Sequence, residues 1–99
     1  MDDIYDVTII GGGPSGLYSA FYAGLRDLKT KIIEYKSTLG GKLHVYPEKI
    51  IWDIGGLPAT PAQKVIENIV EQGLTFNPTV CLNTKVDLVT KKEDFFVIE

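Results

Sequence analysis

The sequence predicts an α/β domain built on a parallel sheet, with a small antiparallel meander at its end. Three observations carry this. An uncharged run over residues 7–25 joins an apolar, β-branched stretch to a segment of helical spacing through Gly11-Gly12-Gly13-Pro14. A second β-branched stretch follows within about thirty residues, so strand, helix and strand form one βαβ unit. After residue 79 the texture changes to short apolar runs separated by turn residues.

Each element has its own reason. Residues 5–10 show little alternation, the pattern of a strand buried on both faces. Pro14 suits a first helical turn, where its missing N–H costs nothing. Leu17, Ala20, Phe21, Gly24 and Leu28 then repeat at helical spacing, which predicts a helix over 14–27. Ile32 and Ile33 mark the second strand. Residues 36–60 are punctuated by Gly40-Gly41, Pro47, Gly55-Gly56 and Pro58, and read as a long functional loop. Thr60, Pro61 and Gln63 spell a helix start with a capping box. Ala62, Val65, Ile66, Ile69 and Val70 form an apolar stripe, and Gly73 is placed to stop a helix over 61–72. Residues 79–82, 85–89 and 95–98 are the expected meander strands. The charge cluster Lys91-Lys92-Glu93-Asp94 reads as a solvated turn.

Composition narrows the function. The chain has 99 residues, 10 Lys+Arg against 13 Asp+Glu, and a net charge of -3, which disfavours nucleic acid as a partner. The glycines and proline inside residues 7–25 would break a spanning helix, so no membrane partner is expected. The acidic start Met1-Asp2-Asp3 is not a signal-peptide n-region. Cys81 is the single cysteine, which excludes an internal disulfide and suits the reducing cytoplasm. Cys81 reads as a small core hydrophobe. His44 stands alone without a metal-ligand spacing, and no metal is expected.

The chemistry sits in Gly11-x-Gly13-x-x-Gly16. The first glycine permits a tight turn out of the strand, the second a close approach of a pyrophosphate, and the third close helix–strand packing. The helix N-terminus offers N–H groups and a positive dipole end to phosphate. Glu34 lies 18 residues after Gly16, at the end of the second strand. A carboxylate there accepts ribose hydroxyls and repels a 2′-phosphate, which favours FAD or NAD over NADP.

The run from Tyr5 through Gly11-Gly12-Gly13-Pro14-Ser15-Gly16 resembles the opening of thioredoxin-reductase-like flavoproteins. Leu39-Gly40-Gly41-Lys42-Leu43, Tyr46-Pro47-Glu48-Lys49 and Trp52-Asp53-Ile54-Gly55-Gly56-Leu57-Pro58 narrow the likeness to ferredoxin/flavodoxin–NADP reductases built on that scaffold. The resemblance implies a FAD/NAD(P)-binding, Rossmann-like three-layer α/β domain with a parallel sheet and a small antiparallel β-meander. It implies FAD as cofactor. The pyrophosphate would lie on Gly11, Gly12, Gly13, Pro14, Ser15 and Gly16, and the adenosine ribose on Glu34. Gly40, Gly41, Lys42 and Leu43 would pass the pyrophosphate and ribityl chain, with Lys42 standing where relatives usually carry Gln. Tyr46 would stack on the flavin, Asp53 would lie near the isoalloxazine, and the Val86 backbone would meet adenine.

Family members are several times longer and carry an NADPH-binding domain. Residues 1–99 hold one Gly-rich turn, so they are expected to be the N-terminal part of a FAD-binding domain, without the NADPH domain or the C-terminal flavin-site segment. The resemblance makes the parent an oxidoreductase moving electrons between NADPH and ferredoxin or flavodoxin, and a homodimer. A thioredoxin-disulfide reductase is the alternative parent. A small NAD-dependent dehydrogenase and a non-catalytic nucleotide-binding module are more distant ones. The isolated chain is expected to be inactive, with no catalytic residue of its own.

Overall fold

A computed structural model describes residues 4–41 and 46–99. Strand β1 (Val7–Ile10) enters helix α1 (Pro14–Leu25), and strand β2 (Thr30–Ile33) follows. β1 and β2 pair in parallel, with Val7 opposite Thr30 and Ile10 opposite Ile33. Parallel neighbours need a crossover, and α1 supplies it. A third parallel strand, β5 (Thr79–Cys81), pairs with the other edge of β2, giving the order β1-β2-β5. Residues 79–81 of the 79–82 run expected in the meander therefore belong to the parallel sheet. A β-branched run fixes strand character but not its partner, and the ladder continues past Ile33 when the Glu34 N–H donates to the Cys81 carbonyl at 2.8 Å.

The antiparallel part is smaller than three strands. β6 (Val89–Lys91) and β7 (Phe96–Ile98) form a hairpin. Residues 85–88 stay outside the strand assignment, although the Leu88 N–H donates to the Glu99 carbonyl at 3.0 Å and the Glu99 N–H returns a bond to Leu88 at 2.8 Å. The charged residues from Lys91 to Asp94 are exposed at the hairpin turn, closed by the Lys92 N–H on the Phe95 carbonyl.

β1 is less buried than a two-faced strand should be. Val7 to Ile9 are half-buried and Ile10 is 56% exposed. β1 sits at the edge of the sheet, and the core gathers instead on β2 and α1. Leu17, Ala20 and Ile32 are almost fully buried, with Ile9, Leu39, Ile69, Val70 and Val80 against them.

α1 ends two residues earlier than its periodicity suggests. Asp27 adopts φ 60°, the Leu28 N–H reaches back to the Ala23 carbonyl at 3.0 Å, and the Asp27 N–H to Gly24 at 2.9 Å. This paired closure uses a short polar side chain that tolerates the left-handed region. Among the described residues no helix is long and apolar enough to cross a membrane.

Helix α2 (Ala62–Gly73) packs on α1. Gly73 is its last residue and serves packing more than termination. A Cβ there would lie 2.8 Å from Leu17 Cδ2 and 3.0 Å from the Leu17 carbonyl oxygen. The capping box does not form. Thr60 donates its hydroxyl to Pro58, Pro61 takes the N-cap place, and α2 has no side-chain cap. Backbone carbonyls do the capping: the Ala62 N–H donates to Lys49 at 2.8 Å and the Gln63 N–H to Pro47 at 2.9 Å. The long loop thus carries its own order, including the two-residue antiparallel pairing of β3 (Ile50–Ile51) with β4 (Thr60–Pro61).

Candidate dinucleotide-binding site

The turn between β1 and α1 is built by three glycines with three different reasons. Gly11 has φ 108°, outside the range of L side chains, and its N–H extends the sheet to the Ile33 carbonyl at 2.8 Å. Gly16 lies in the first turn of α1. A Cβ on it would collide with the Gly11 carbonyl oxygen and come within 3.1 Å of Ile9 Cγ2, so it sets the closeness of helix to strand. Gly13 is the N-cap, with an ordinary extended backbone (φ -80°, ψ -174°). Among the described residues, a Cβ on Gly13 would meet only Gly41 Cα, at 3.9 Å, so their packing does not require glycine there. The open space over Gly13 fits the approach of a pyrophosphate.

The start of α1 supplies donors beside Gly13. Pro14 opens α1 and has no N–H to lose, and the first intrahelical bond runs from Leu17 N–H to Gly13 carbonyl at 2.9 Å. The Ser15 and Gly16 N–H groups belong to the first turn, where helical geometry supplies no partner, at the positive end of the helix dipole.

A second glycine loop crosses the first. The Gly40 N–H donates to the Gly12 carbonyl at 2.8 Å. Gly41 has φ 64°, and a Cβ on it would lie 3.0 Å from Gly13 Cα. The two loops therefore touch backbone to backbone beside the open space. Lys42 and Leu43, and the lone His44, lie outside the described residues.

Glu34 closes the other side. It is 9% exposed, and both carboxylate oxygens accept backbone N–H groups: Oε1 from Gly12 at 2.7 Å and Oε2 from Lys36 at 2.8 Å. The Lys36 N–H and then the Gly12 N–H hold its carboxyl below the usual value of 4.5, outweighing the opposing effect of burial. Each oxygen keeps a second lone pair for a hydroxyl donor. The segment carrying Val86 is tied to the same strand end. The Thr84 N–H donates to the Glu34 carbonyl at 3.0 Å and the Asn83 N–H to Lys36 at 2.9 Å, with Asn83 at φ 53°. Val86 is half-buried just beyond.

The geometry thus brings together Gly11, Gly12, Gly13, Pro14, Ser15, Gly16, Glu34, Gly40 and Gly41, with Val86 on a tethered neighbour. Tyr46 and Asp53 lie instead on the loop anchored to α2, and both are exposed. Two contributors have no role assigned to them by the sequence. Leu39 explains Gly12, because a Cβ on Gly12 would collide with Leu39 Cδ2. An apolar residue immediately before Gly40-Gly41 is the only signal for it. The Lys36 N–H has no side-chain signature at all.

A parallel βαβ unit with this glycine turn and a strand-end carboxylate defines a dinucleotide-binding domain. A family model described as an NAD(P)-binding Rossmann-like domain matches residues 9–61, and the chain belongs to that family. Among curated relatives, ferredoxin–NADP reductase 1 of Bacillus cytotoxicus is 65% identical over 92 residues, covering 93% of this chain and 26% of that protein. Ferredoxin–NADP reductase 2 of Exiguobacterium sibiricum is 64% identical over 91 residues, 92% of this chain and 26% of its own length. Among solved structures, a ferredoxin-flavin thioredoxin reductase from Clostridium acetobutylicum superposes with TM-score 0.81 at 30% identity, over 99% of this chain and 33% of that one. Thioredoxin reductase of Lactococcus lactis shares the fold, with TM-score 0.84 at 23% identity, over 97% of this chain and 30% of its own. The chain spans about a quarter of the length of the curated relatives it matches.

Proposed function

We propose that residues 1–99 form the N-terminal FAD-binding part of a flavin-dependent reductase that moves electrons between NADPH and ferredoxin or flavodoxin. The observation that carries the reading is the open backbone cradle over Gly13, walled by Gly41 and by the Glu34-held turn, in a chain 65% identical to a ferredoxin–NADP reductase. Gly11 to Gly16, with Pro14 and Ser15 at the helix start, would take the pyrophosphate. Glu34 would take the adenosine ribose diol, and the backbone at Val86 the adenine. Gly40, Gly41, Lys42 and Leu43 would follow the pyrophosphate and ribityl chain. Tyr46 would stack on the isoalloxazine, with Asp53 near its polar edge. A carboxylate at the ribose disfavours a 2′-phosphate, which supports FAD over NADP at this cradle.

When bound, FAD supplies an acceptor for hydride that can hand electrons on singly. The chain's own residues bind and orient it. The parent would be a cytoplasmic homodimer. Exposed apolar residues such as Trp52 and Phe96 support burial against further protein, and the single thiol suits a reducing compartment. A thioredoxin-disulfide reductase is the second reading, favoured by the likeness to the ferredoxin-flavin thioredoxin reductase.

The test is a visible spectrum of the purified chain with calorimetric titrations of FAD, NAD and NADP. Yellow protein with flavin absorption, and FAD bound more tightly than either nicotinamide nucleotide, is expected. NADP bound in preference to FAD would overturn the assignment.

A further inference from the structure

The carbonyl caps of α2 lie next to a residue that the proposed site uses. The Pro47 and Lys49 carbonyls receive the Gln63 and Ala62 N–H groups at 2.9 and 2.8 Å, and the Lys49 N–H closes a turn on the Tyr46 carbonyl at 3.1 Å. The β3–β4 pairing, Ile50 with Pro61 and Ile51 with Thr60, continues the attachment. Pro47 and Lys49 are thus fastened to the first turn of α2, Ile50 and Ile51 to the β4 residues just before it, and Tyr46 to Lys49. The far end of α2 is itself fixed, because Gly73 packs on Leu17 of α1. Helix N-termini ordinarily satisfy such donors with a Ser, Thr or Asp side chain or with water. Here Pro61 occupies the N-cap and has no side-chain acceptor, the Thr60 hydroxyl goes to Pro58, and the loop takes the helix donors.

We propose that α2 is the positioning element of the Tyr46 loop: its Ala62 and Gln63 N–H groups hold residues 46–49 so that the Tyr46 ring is presented to the flavin. The proposal rests on the FAD reading above. Tyr46 is 68% exposed, so its own packing does not fix its place, and the backbone anchors must. Gln63 acts as a positioning residue through its main chain. Its exposed side chain only approaches Glu67, at 3.4 Å.

The test is a double-mutant cycle on the full chain, read by FAD affinity and by quenching of flavin fluorescence. Gln63→Pro deletes the N–H in a first helical turn, where proline is tolerated. Gln63→Ala keeps the N–H and serves as control. Tyr46→Ala should weaken FAD binding about tenfold and relieve quenching, the scale of one lost aromatic stack. In the Gln63→Pro background the same substitution should change affinity by no more than about twofold, because the ring is already displaced. Gln63→Ala should behave as the unaltered chain. Hydrogen exchange gives a readout without substitution: FAD should slow exchange of the Gln63 and Ala62 amides. Additive effects of Tyr46→Ala and Gln63→Pro, or FAD-independent exchange at both amides, would overturn the clamp. FAD binding that is insensitive to Tyr46→Ala would also overturn it while leaving the cradle intact. Absence of any FAD binding would instead remove the underlying site reading, and the clamp with it.

Discussion

The Glu34 carboxylate holds the Gly12 N–H at 2.7 Å, so the end of β2 restrains the glycine turn that leaves β1. One side chain thus ties two backbone segments together, the glycine turn through Gly12 and the strand end through Lys36.

That restraint makes a pH prediction. The folded-state pKa of Glu34 is lowered by the Lys36 and Gly12 N–H groups. Its contribution to stability is complete above the unfolded-state value near 4.5 and disappears as pH falls through the lower folded-state value. Urea unfolding of the wild type and of Glu34→Ala should therefore converge on acidification below about pH 4.5 and differ by a constant amount from about pH 5.5 to 7. A difference that grows as pH falls would contradict the sign.

The glycines should separate into two kinds. Gly16→Ala places a Cβ against the Gly11 carbonyl and should cost stability, about 1–3 kcal/mol by overpacking. Gly13→Ala meets nothing closer than 3.9 Å among the described residues and should leave stability within about 0.5 kcal/mol. Thermal or urea unfolding of the two variants checks this. Equal destabilisation would mean that Gly13 is retained for packing.

Exposed apolar residues should make the chain self-associate. Ile4 is 78% exposed, Trp52 75% and Phe96 62%, and the β1 edge of the sheet adds Ile10. Sedimentation should show dimers or larger species that dissociate on dilution. A clean monomer at high concentration would contradict this.

NADPH-driven reduction of ferredoxin, flavodoxin, thioredoxin or a dye should be absent for residues 1–99, even with excess FAD. Hydride transfer needs two nucleotides face to face, and the sequence holds one Gly-rich dinucleotide turn. Stopped-flow or steady-state NADPH oxidation measures it directly, and turnover would show a second nucleotide site.

What the sequence made legible was whatever is written in local chemistry. β1, the turn, α1, β2, Glu34 and the α2 stripe follow from residue type and spacing. Partner choice was not legible: Thr79 and Val80 have the β-branched character of any strand, and it is the crossover through α2 that returns them parallel to β2. Capping was misread for a related reason. Thr60 and Gln63 have the right spacing for a box, but the Pro47 and Lys49 carbonyls, distant in sequence, outcompete them. The end of α1 depends on Asp27 taking φ 60°, a conformation more often signalled by glycine. At the site, Gly11 forms the turn and Gly16 the close helix–strand approach that their spacing suggests, whereas the Lys36 N–H on Glu34 leaves no trace in residue identity.

FAD affinity measured for three proteins side by side tests the cofactor site most directly: the unaltered chain, Gly13→Val and Glu34→Ala. Glu34→Ala should lose about 1.5–3 kcal/mol of binding, the worth of hydrogen bonds to a charged acceptor. Gly13→Val should lose more, because its side chain would fill the space over the cradle that Gly41 leaves open. Circular dichroism should show both variants folded. Equal affinity for all three proteins would contradict the claim that this turn and this carboxylate form the cofactor site.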